Sequence, residues 1–457
     1  MIIALPIEIK SREYLPKLYL AYNILKYSKH KVIIGKKAEI YSIFKKSKNV
    51  FLISKSGPKK KFTFKKEILE KNFFSILDEE GPLANLRFKD FKNRCSNKVL
   101  SYCDYYFSWG KDDKKLIEKK TAIKCKVLNY GHPKFDLLIN KNDSLISREK
   151  YLRKKFNNFV FFPSNFHQDQ IMDNKDYLIW RSKQAINDKN FIKRSSNLLK
   201  KDLNNYINSI NLIKKLAIEN PKINFIFRPH PRQDYKKVKK RFGKISKNIF
   251  IEHKFSISPY ISACNLYMHR GCTSVLEAAK LNKKIIYLKN YNYNQRNWMS
   301  EVGFNLIESK KEIKIISNII KGKIKVRQNQ NLSILENIGK KQFCQNFVSF
   351  INSSKFENVN SIINYRYSKA SSAVTNRVKS NIKKFFIKSD IVRKTLSHIN
   401  EDLILPRSYG LSKFSKLTSN EIQKDINKFF VNKEKKIKKK IVLQKININS
   451  FLLKKVK

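Results

Sequence analysis

Short apolar runs alternate with amphipathic stretches from Ile2 to Leu288, and this alternation constrains the fold more than any other feature. Continuous apolar runs are typical of strands that are buried on both faces of a parallel sheet. Their alternation with helical periodicity predicts stacked α/β layers. The predicted strands are Ile2–Leu5, Lys31–Gly35, Phe51–Ser54, Phe73–Leu77, Tyr105–Trp109 and Lys126–Leu128, then Phe159–Phe162, Asn224–Arg228, Asn248–Glu252, Leu266–His269 and Lys284–Leu288. The predicted helices include Pro16–Lys26, Asn205–Asn220 and Thr273–Leu281.

A chain of 457 residues is too long for one ordinary core. The strands fall into two groups, which predicts two Rossmann-like domains, one over 1–145 and one over 150–325. The two would face each other across a cleft, where open α/β sheets bind ligands at their carboxyl ends. The composition of residues 326–457 predicts a basic extension that is helical and partly disordered. Its end, from the charge run Lys433–Lys440 onward, either rests on anionic lipid or is a solvated or disordered tail.

The formal net charge of +62 indicates an anionic partner, which would be nucleic acid, a membrane surface or a phosphorylated substrate. Lysine is spread along the chain, so composition drift explains the charge better than specific nucleic-acid binding. The six cysteines show no metal-ligand spacing, which predicts buried thiols in a reduced cytosol. No apolar run approaches the ~20 residues of a membrane span. We therefore expect a cytoplasmic protein, either in solution or peripheral on the inner face of the membrane.

The loop after Asn224–Arg228 is rich in phosphate-binding side chains. Arg228, His230 and Arg232 follow an apolar strand, and two prolines stiffen the loop that carries them. An extended loop can present alternate residues on one side. Nucleotide phosphates require charge-assisted donors of this kind. The loop therefore predicts a nucleotide-binding site.

A second junction, from Leu266 to Leu281, combines the same chemistry with a helix start. Thr273 and Ser274 can cap the helix and bond a phosphate oxygen, while the helix terminus attracts the anion. Glu277 fits either a capping box with Ser274 or a ribose hydroxyl pair. The predicted donor-binding residues are Ser164, Asn165, Arg228, Arg232, His269, Arg270, Thr273, Ser274 and Glu277.

An acidic cluster, Asp78-Glu79-Glu80-Gly81, follows the strand Phe73–Leu77. Group transfer to an alcohol needs a base beside the acceptor hydroxyl, and a carboxylate at a strand end fits that role. A surface acidic turn is the alternative, but acids are scarce here, with 36 against 98 basic residues. Glu8 and Arg12, beside Glu13, either face the same cleft on the acceptor side or supply charges at a helix start.

The motifs DEEG and RPHP, with the Thr-Ser pair, resemble the motif set of bacterial GT-B sialyltransferases and related CMP-sugar transferases. Those enzymes carry a D/E-D/E-G motif, an HP motif and a Ser/Thr motif. The wider pattern LPIEIKSRE, DEEG, FSWG, GHPKFD, RPHP and HRGCTSVLEAA is similar to bacterial surface carbohydrate biosynthesis proteins. It covers Met1–Val302 and implies the GT-B architecture, with 1–145 as the acceptor domain and 150–325 as the nucleotide-sugar-binding domain.

The resemblance implies roles for individual residues. Glu79 would be the base, with Asp78 and Glu80 as close neighbours, and His230 would bind the departing phosphate with Thr273 and Ser274. The sequence shows no DxD-type motif, so we expect metal-independent chemistry without a cofactor. The expected partners are a nucleotide-activated sugar, such as a CMP-linked acidic sugar, and a glycan or lipid-linked acceptor for surface polysaccharide.

Two alternatives stay open. The first is a polyol-phosphate transferase that uses CDP-glycerol or a relative, since such enzymes share a His-Pro loop and a second histidine, here His269. The second is a basic nucleic-acid-binding protein without enzymatic activity. No recognised nucleic-acid module is evident, so no specific nucleic acid is expected.

Overall fold

The computed structural model describes most of the chain. The described residues are 1–55, 64–82, 95–120, 125–140, 143–166, 191–231, 233–289, 302–307, 311–326, 342–363, 414–429 and 441–455. Within them, no helix is long and apolar enough to cross a membrane.

Parallel strands form the centre of the first sheet, in the order β2-β1-β3-β4-β5-β6. Every residue of the central strand β1 is buried, as expected for a strand with helices on both faces. The strands are β1 Ile2–Ile7, β2 Lys31–Lys36, β3 Val50–Ser54, β4 Phe73–Leu77, β5 Tyr105–Phe107 and β6 Lys126–Leu128.

The second sheet is parallel throughout, in the order β12-β11-β10-β7-β8-β9. Its strands are β7 Phe159–Pro163, β8 Asn224–Arg228, β9 Ile249–Ile251, β10 Leu266–His269, β11 Lys284–Lys289 and β12 Phe304–Ile307. The predicted bounds of β8 and β10 are correct to the residue, whereas β12 is not among the predicted strands.

Helices lie between most of the strands. They are α1 Lys10–Tyr27, α2 Lys37–Lys45, α3 Lys66–Glu70, α4 Asn97–Leu100, α5 Lys111–Lys120, α6 Pro133–Ile139, α7 Asp143–Phe156, α8 Phe191–Glu219, α9 Tyr235–Phe242, α10 Ile257–Ala263, α11 Val275–Lys280, α12 Glu312–Ile320, α13 Phe343–Ile351, α14 Ser354–Glu357 and α15 Ser419–Asn427. Trp109 and Phe135 from the first half share one core cluster with Tyr260 and Val275 from the second half. The two halves are therefore joined by apolar packing as well as by the chain.

Helix α1 begins earlier than the predicted start at Pro16. The carboxylate of Glu13 accepts the backbone N–H groups of Glu8 at 2.8 Å and Ile9 at 3.2 Å. These bonds satisfy donors that a helix start otherwise leaves unpaired. Pro16 consequently lies inside the helix.

Residues 441–455 form a β-hairpin, so the predicted helical or disordered extension is wrong for this segment. Contact of the basic tail with anionic lipid stays a prediction. Strand β13 Ile441–Asn447 pairs with β14 Ser450–Lys455, and β14 pairs antiparallel with β2. Phe451 and Leu453 are buried in the core of the first domain. The hairpin covers an edge of the sheet, and its alternate apolar residues are removed from water, which stabilises the folded state. The charge run Lys433–Lys440 lies outside the described residues.

Candidate functional site

Two loops, one from each domain, meet where the carboxyl ends of the two sheets face each other. Gly81 follows β4, and a Cβ built on it would lie 3.4 Å from Cγ2 of Thr273. Its φ of +112° lies in a region that side chains rarely adopt, so this turn favours glycine. The acidic cluster and the Thr-Ser junction, distant in sequence, are therefore adjacent in space.

Glu79 is buried and has a partner for each carboxylate oxygen. Its Oε1 lies 3.0 Å from Nζ of Lys17, and its Oε2 lies 3.1 Å from Nε2 of His132. Burial opposes the charge, but Lys17 and then His132 outweigh it and hold the pKa of Glu79 well below its usual range. Glu79 is therefore an oriented, ionised carboxylate.

His132 fixes the position of Glu79. Its Nδ1 accepts the backbone N–H of Lys134 at 3.2 Å, so Nε2 carries the proton and donates to Glu79. Burial lowers the pKa of His132 to about 4, which keeps the ring neutral near pH 7. This histidine lies in the GHPKFD motif, after β6.

Lys17 connects the start of the chain to the acidic cluster. Its ammonium group, on α1, reaches the carbonyl of Pro6 at 2.5 Å and Oε2 of Glu13 at 3.3 Å, besides Glu79. The side chain is only 2 % exposed. A buried cation of this kind is tolerated because all its acceptors are in place.

Asp78 shapes the acidic loop from within. Its Oδ1 accepts the N–H of Glu80 at 2.8 Å, and its carbonyl accepts the indole N–H of Trp109 at 2.7 Å. The side chain of Asp78 is buried, whereas that of Glu80 is 41 % exposed. Asp78 is thus bonded within the loop, while Glu80 reaches solvent.

The second polar group predicted on the acceptor side does lie beside the acidic cluster. Lys55 bridges Glu8 at 3.2 Å and Glu80 at 3.4 Å. Arg12 pairs with Oε1 of Glu13 at 3.1 Å. Glu8 and Arg12 therefore belong to the same charged region as Glu79.

Arg228 is buried at the end of β8 in the second domain. Its guanidinium lies 5.2 Å from the ring centre of Tyr260, and its Nη1 forms no hydrogen bond with the described residues. Burial lowers the pKa of Arg228, and the neighbouring Tyr260 and Cys272 oppose that shift. The RPHP loop therefore lies near the junction that contains Cys272.

Gln233 holds the RPHP loop in its turn. Its Oε1 accepts the N–H of His230 at 2.7 Å, while the carbonyl of His230 accepts the N–H of Gln233 at 2.8 Å. The amide Nε2 of Gln233 is buried and forms no hydrogen bond with the described residues. Arg232 lies outside the described residues.

His269 organises the second junction. Its Nδ1 accepts the N–H groups of Gly271 and Cys272, each at 3.2 Å, so the proton is on Nε2. That Nε2 is buried and has no hydrogen-bond partner among the described residues. Burial lowers the pKa of His269 to about 3. The ring is therefore a neutral donor that also fixes the loop.

The predicted capping box between Ser274 and Glu277 is wrong. Ser274 makes no side-chain cap, because its hydroxyl bonds the buried hydroxyl of Tyr267 at 2.8 Å. Glu277 instead accepts from Oγ of Ser258 at 2.7 Å. A buried tyrosine hydroxyl needs a partner, and Ser274 supplies it.

Three other predicted donor-side residues link neighbouring strand ends. Ser164 donates its N–H to the carbonyl of Arg228 at 2.8 Å. Asn165 donates to the carbonyl of Arg270 at 3.1 Å, and Nε of Arg270 donates to Ser209 at 2.7 Å. These bonds hold the ends of β7, β8 and β10 together.

Lys134 joins the two sites across the cleft. Its Nζ lies 3.9 Å from Oε1 of Glu277 and 4.4 Å from the ring centre of Trp109. Burial lowers its pKa, while Glu277 opposes the shift. The site residues that the sequence predicts do not include Lys17, His132 or Lys134. The polar segment GHPK, which follows a predicted strand, is the sequence signal that could have indicated His132 and Lys134.

Asp136, in the same motif, has a structural role. Its carboxylate accepts the N–H groups of Phe343 at 3.1 Å and Cys344 at 2.6 Å, and so caps α13. Burial raises its pKa to about 6. The motif therefore also fastens a distant helix to the first domain.

Two facing, mainly parallel α/β sheets form a GT-B-like architecture, as the sequence predicts. No family model matches the chain, and no curated protein matches it. Among solved structures, the wall teichoic acid polymerase TagF aligns over 79 % of this chain and 90 % of its own, with 13 % identity and a TM-score of 0.48. UDP-GlcNAc 2-epimerase from Methanocaldococcus jannaschii, in complex with UDP-GlcNAc and UDP, aligns over 77 % and 99 %, with 14 % identity and a TM-score of 0.46. Similarity this distant carries no information on the reaction.

Within the described residues, no group of three or more His, Cys, Asp or Glu side chains is arranged to hold a metal ion. Metal-independent chemistry stays a prediction.

Proposed function

We propose that the protein is a glycosyltransferase that moves a sugar from a nucleotide-activated donor to a hydroxyl acceptor. One observation carries the proposal: an ionised, oriented carboxylate follows β4, and buried N–H donors lie at or after the ends of β8 and β10. Glu79 is the carboxylate. Arg228, Gln233 and His269 each bury an N–H group that has no partner among the described residues.

In this mechanism Glu79 takes the proton of the acceptor hydroxyl while the oxygen attacks the anomeric carbon. The bond between that carbon and the phosphate oxygen breaks, and its electron pair leaves with the nucleotide. Because the pKa of Glu79 is low, proton transfer comes late, when bond formation has made the hydroxyl acidic. His132 keeps the carboxylate in position.

The departing phosphate gains negative charge and needs donors that are already in place. Arg228 and His230, with the Thr273 loop, would provide them. The motif resemblance to CMP-sugar transferases favours a CMP-linked acidic sugar, with a surface polysaccharide or lipid-linked glycan as acceptor. The polyol-phosphate alternative depends on His269 as a second histidine, but its Nδ1 is engaged by two loop amides. Only the Nε2–H of His269 is left for a ligand, and the motif resemblance is our reason for preferring glycosyl transfer.

The test is transfer or donor hydrolysis by the purified chain with CMP-, UDP-, GDP- and CDP-activated donors. We expect Glu79→Gln to lower turnover by about 10²–10⁴-fold, because general base catalysis contributes that much. Glu70→Gln, at a side chain that is 61 % exposed, is the matched control. Phosphorus retained in the product would indicate polyol-phosphate transfer. Full turnover in both Glu79→Gln and His230→Ala would refute the mechanism.

A further inference from the structure

A second cavity, of about 410 Å³, lies outside the cleft site. It is formed by α7, the loop before α10, and α15. Arg148 and Tyr151 line it from α7, Phe255 from the loop, and Lys424 and Asp425 from α15. None of these residues belongs to the site around Glu79. The volume lies within the range of small-molecule sites in proteins.

The side chains that line this cavity carry more positive than negative charge. Arg148 at 3.0 Å and Lys428 at 3.9 Å share a single oxygen of Asp425. The other acid, Glu421, is paired with Lys10 at 2.6 Å. Among the described residues, Lys424 forms no ion pair. Burial lowers the pKa of Lys428, Asp425 opposes that shift, and Arg148 and Lys424 lower the pKa further. A bound anion would relieve this repulsion.

Aromatic rings form another wall. Tyr151 is 39 % exposed, and its ring lies 5.5 Å from that of Phe255 at an angle of 84°. Lys254 lies 4.1 Å above the Tyr151 ring and adds a cation at the rim. Aromatic side chains beside a few polar groups are typical of sites for small ligands, and the C–H face of a sugar ring packs well on them.

One helix connects the cavity to the proposed base. Lys10, at the start of α1, holds Glu421 at the cavity, and Lys17 on the same helix holds Glu79. Seven residues of α-helix span about 10 Å. The cavity and the base are therefore attached to the same helix about two turns apart.

We propose that the cavity binds an anionic saccharide unit, one that carries a carboxylate or a phosphate, as a second site for the acceptor glycan. The identity of the ligand as an acceptor rests on the proposed function, whereas its binding does not. Binding is therefore measured without donor and without turnover.

The experiment is calorimetric titration of the full chain at 0.15 M salt with a tetramer of α2,8-linked N-acetylneuraminic acid. Maltotetraose is the neutral counterpart, and CMP tests for a nucleotide. We expect the acidic tetramer to bind and K424A/K428A to weaken it about tenfold, since two charge-assisted contacts are lost. Tyr151→Ala should weaken it about threefold. Lys445→Ala, an exposed lysine on the hairpin, is the control for general charge and should change nothing.

Equal affinity for the neutral and acidic tetramers would overturn the inference, as would an equal loss in Lys445→Ala. Tighter CMP binding that is lost in K424A/K428A would also overturn it, in favour of a nucleotide site, and so would no binding at all. Loss of transfer in Glu79→Gln with unchanged tetramer binding would support both proposals. Selective tetramer binding in a chain that transfers no sugar would retain this site and reject the proposed function.

Discussion

The strand ends of the two domains differ in how their charges are satisfied. In the first domain, each carboxylate oxygen of Glu13 and Glu79 lies within 3.3 Å of a cation or an N–H group. Two atoms there are exceptions to full hydrogen bonding: Oε1 of Glu79 meets Lys17 only as an ion pair, and Nε of Arg12 has no hydrogen-bond partner among the described residues. In the second domain, buried N–H groups of Arg228, Gln233 and His269 have none among the described residues. Both regions carry strongly polar loops on similar parallel sheets.

The difference indicates two kinds of site. A closed network contributes to the folded state and holds its members rigidly. Buried donors without acceptors cost stability, and a bound anion is one partner that can satisfy them. We therefore expect mutations in the first region to act on folding and catalysis together, and mutations in the second to act mainly on ligand affinity.

The largest effect is expected for Lys17→Met. It leaves the buried carboxylates of Glu13 and Glu79 without their common cation, which should lower the free energy of unfolding by about 3–5 kcal/mol. Urea denaturation measures this loss. Lys66→Met breaks an exposed pair of the same helical spacing and should cost less than about 0.5 kcal/mol. Similar losses of stability in the two variants would contradict the expected difference between a buried and an exposed ion pair.

Arg228→Met should change stability little and nucleotide affinity strongly, which is the opposite of the effect expected for Lys17→Met. The variant should fold with stability within about 1 kcal/mol of the parent, since a poorly satisfied buried guanidinium is removed. Its affinity for the nucleotide should fall about 10- to 100-fold, as for a lost charge-assisted hydrogen bond. Thermal shift with CMP, UDP, GDP and CDP measures both quantities. A large loss of stability with normal nucleotide affinity would assign Arg228 to the scaffold.

Acid should destabilise the protein through its buried histidines. His132 and His269 have pKa values lowered to about 4 and about 3 by burial. The unfolded chain therefore binds more protons below pH 6.5, so stability is present above that pH and falls as pH decreases towards those values. Each histidine should contribute about 1.4 kcal/mol per pH unit in this window. Asp136 opposes part of this slope, because burial raises its pKa to about 6 and the folded state therefore binds a proton that the unfolded chain does not.

Denaturation between pH 7 and pH 5 measures the slope, and His269→Asn separates the two regions. Asparagine can accept the same loop amides but does not titrate, so this variant should lose the share of the slope due to His269. An unchanged slope would show that the second region does not hold a neutral imidazole.

The smallest effect concerns the contact between the regions. Lys134→Met and Glu277→Gln remove the two ends of the 3.9 Å cross-domain pair. A double-mutant cycle on stability should give a coupling of about 0.5–1 kcal/mol. Zero coupling would show that the two regions are independent.

Local sequence was a good guide to where strands end. The apolar runs of β4, β8 and β10 were predicted to the residue, because such runs carry their own signal and are closed by polar residues. Local sequence was a poor guide to which side chains contact each other in the folded protein. Ser274 looked like a helix cap, but it bonds Tyr267 of the neighbouring strand. The hairpin at 441–455 looked like a free tail because its partner, β2, lies far away in sequence.

The sequence by itself determined two groups of parallel strands, their order along the chain and the polar loops that follow them. These features depend on periodicity and turn residues within a few positions. Only the tertiary structure decided that Lys17 and His132 flank Glu79 and that Lys134 reaches Glu277. Such pairings depend on how whole sheets and helices pack, because the distance between two charges is set by every element that lies between them.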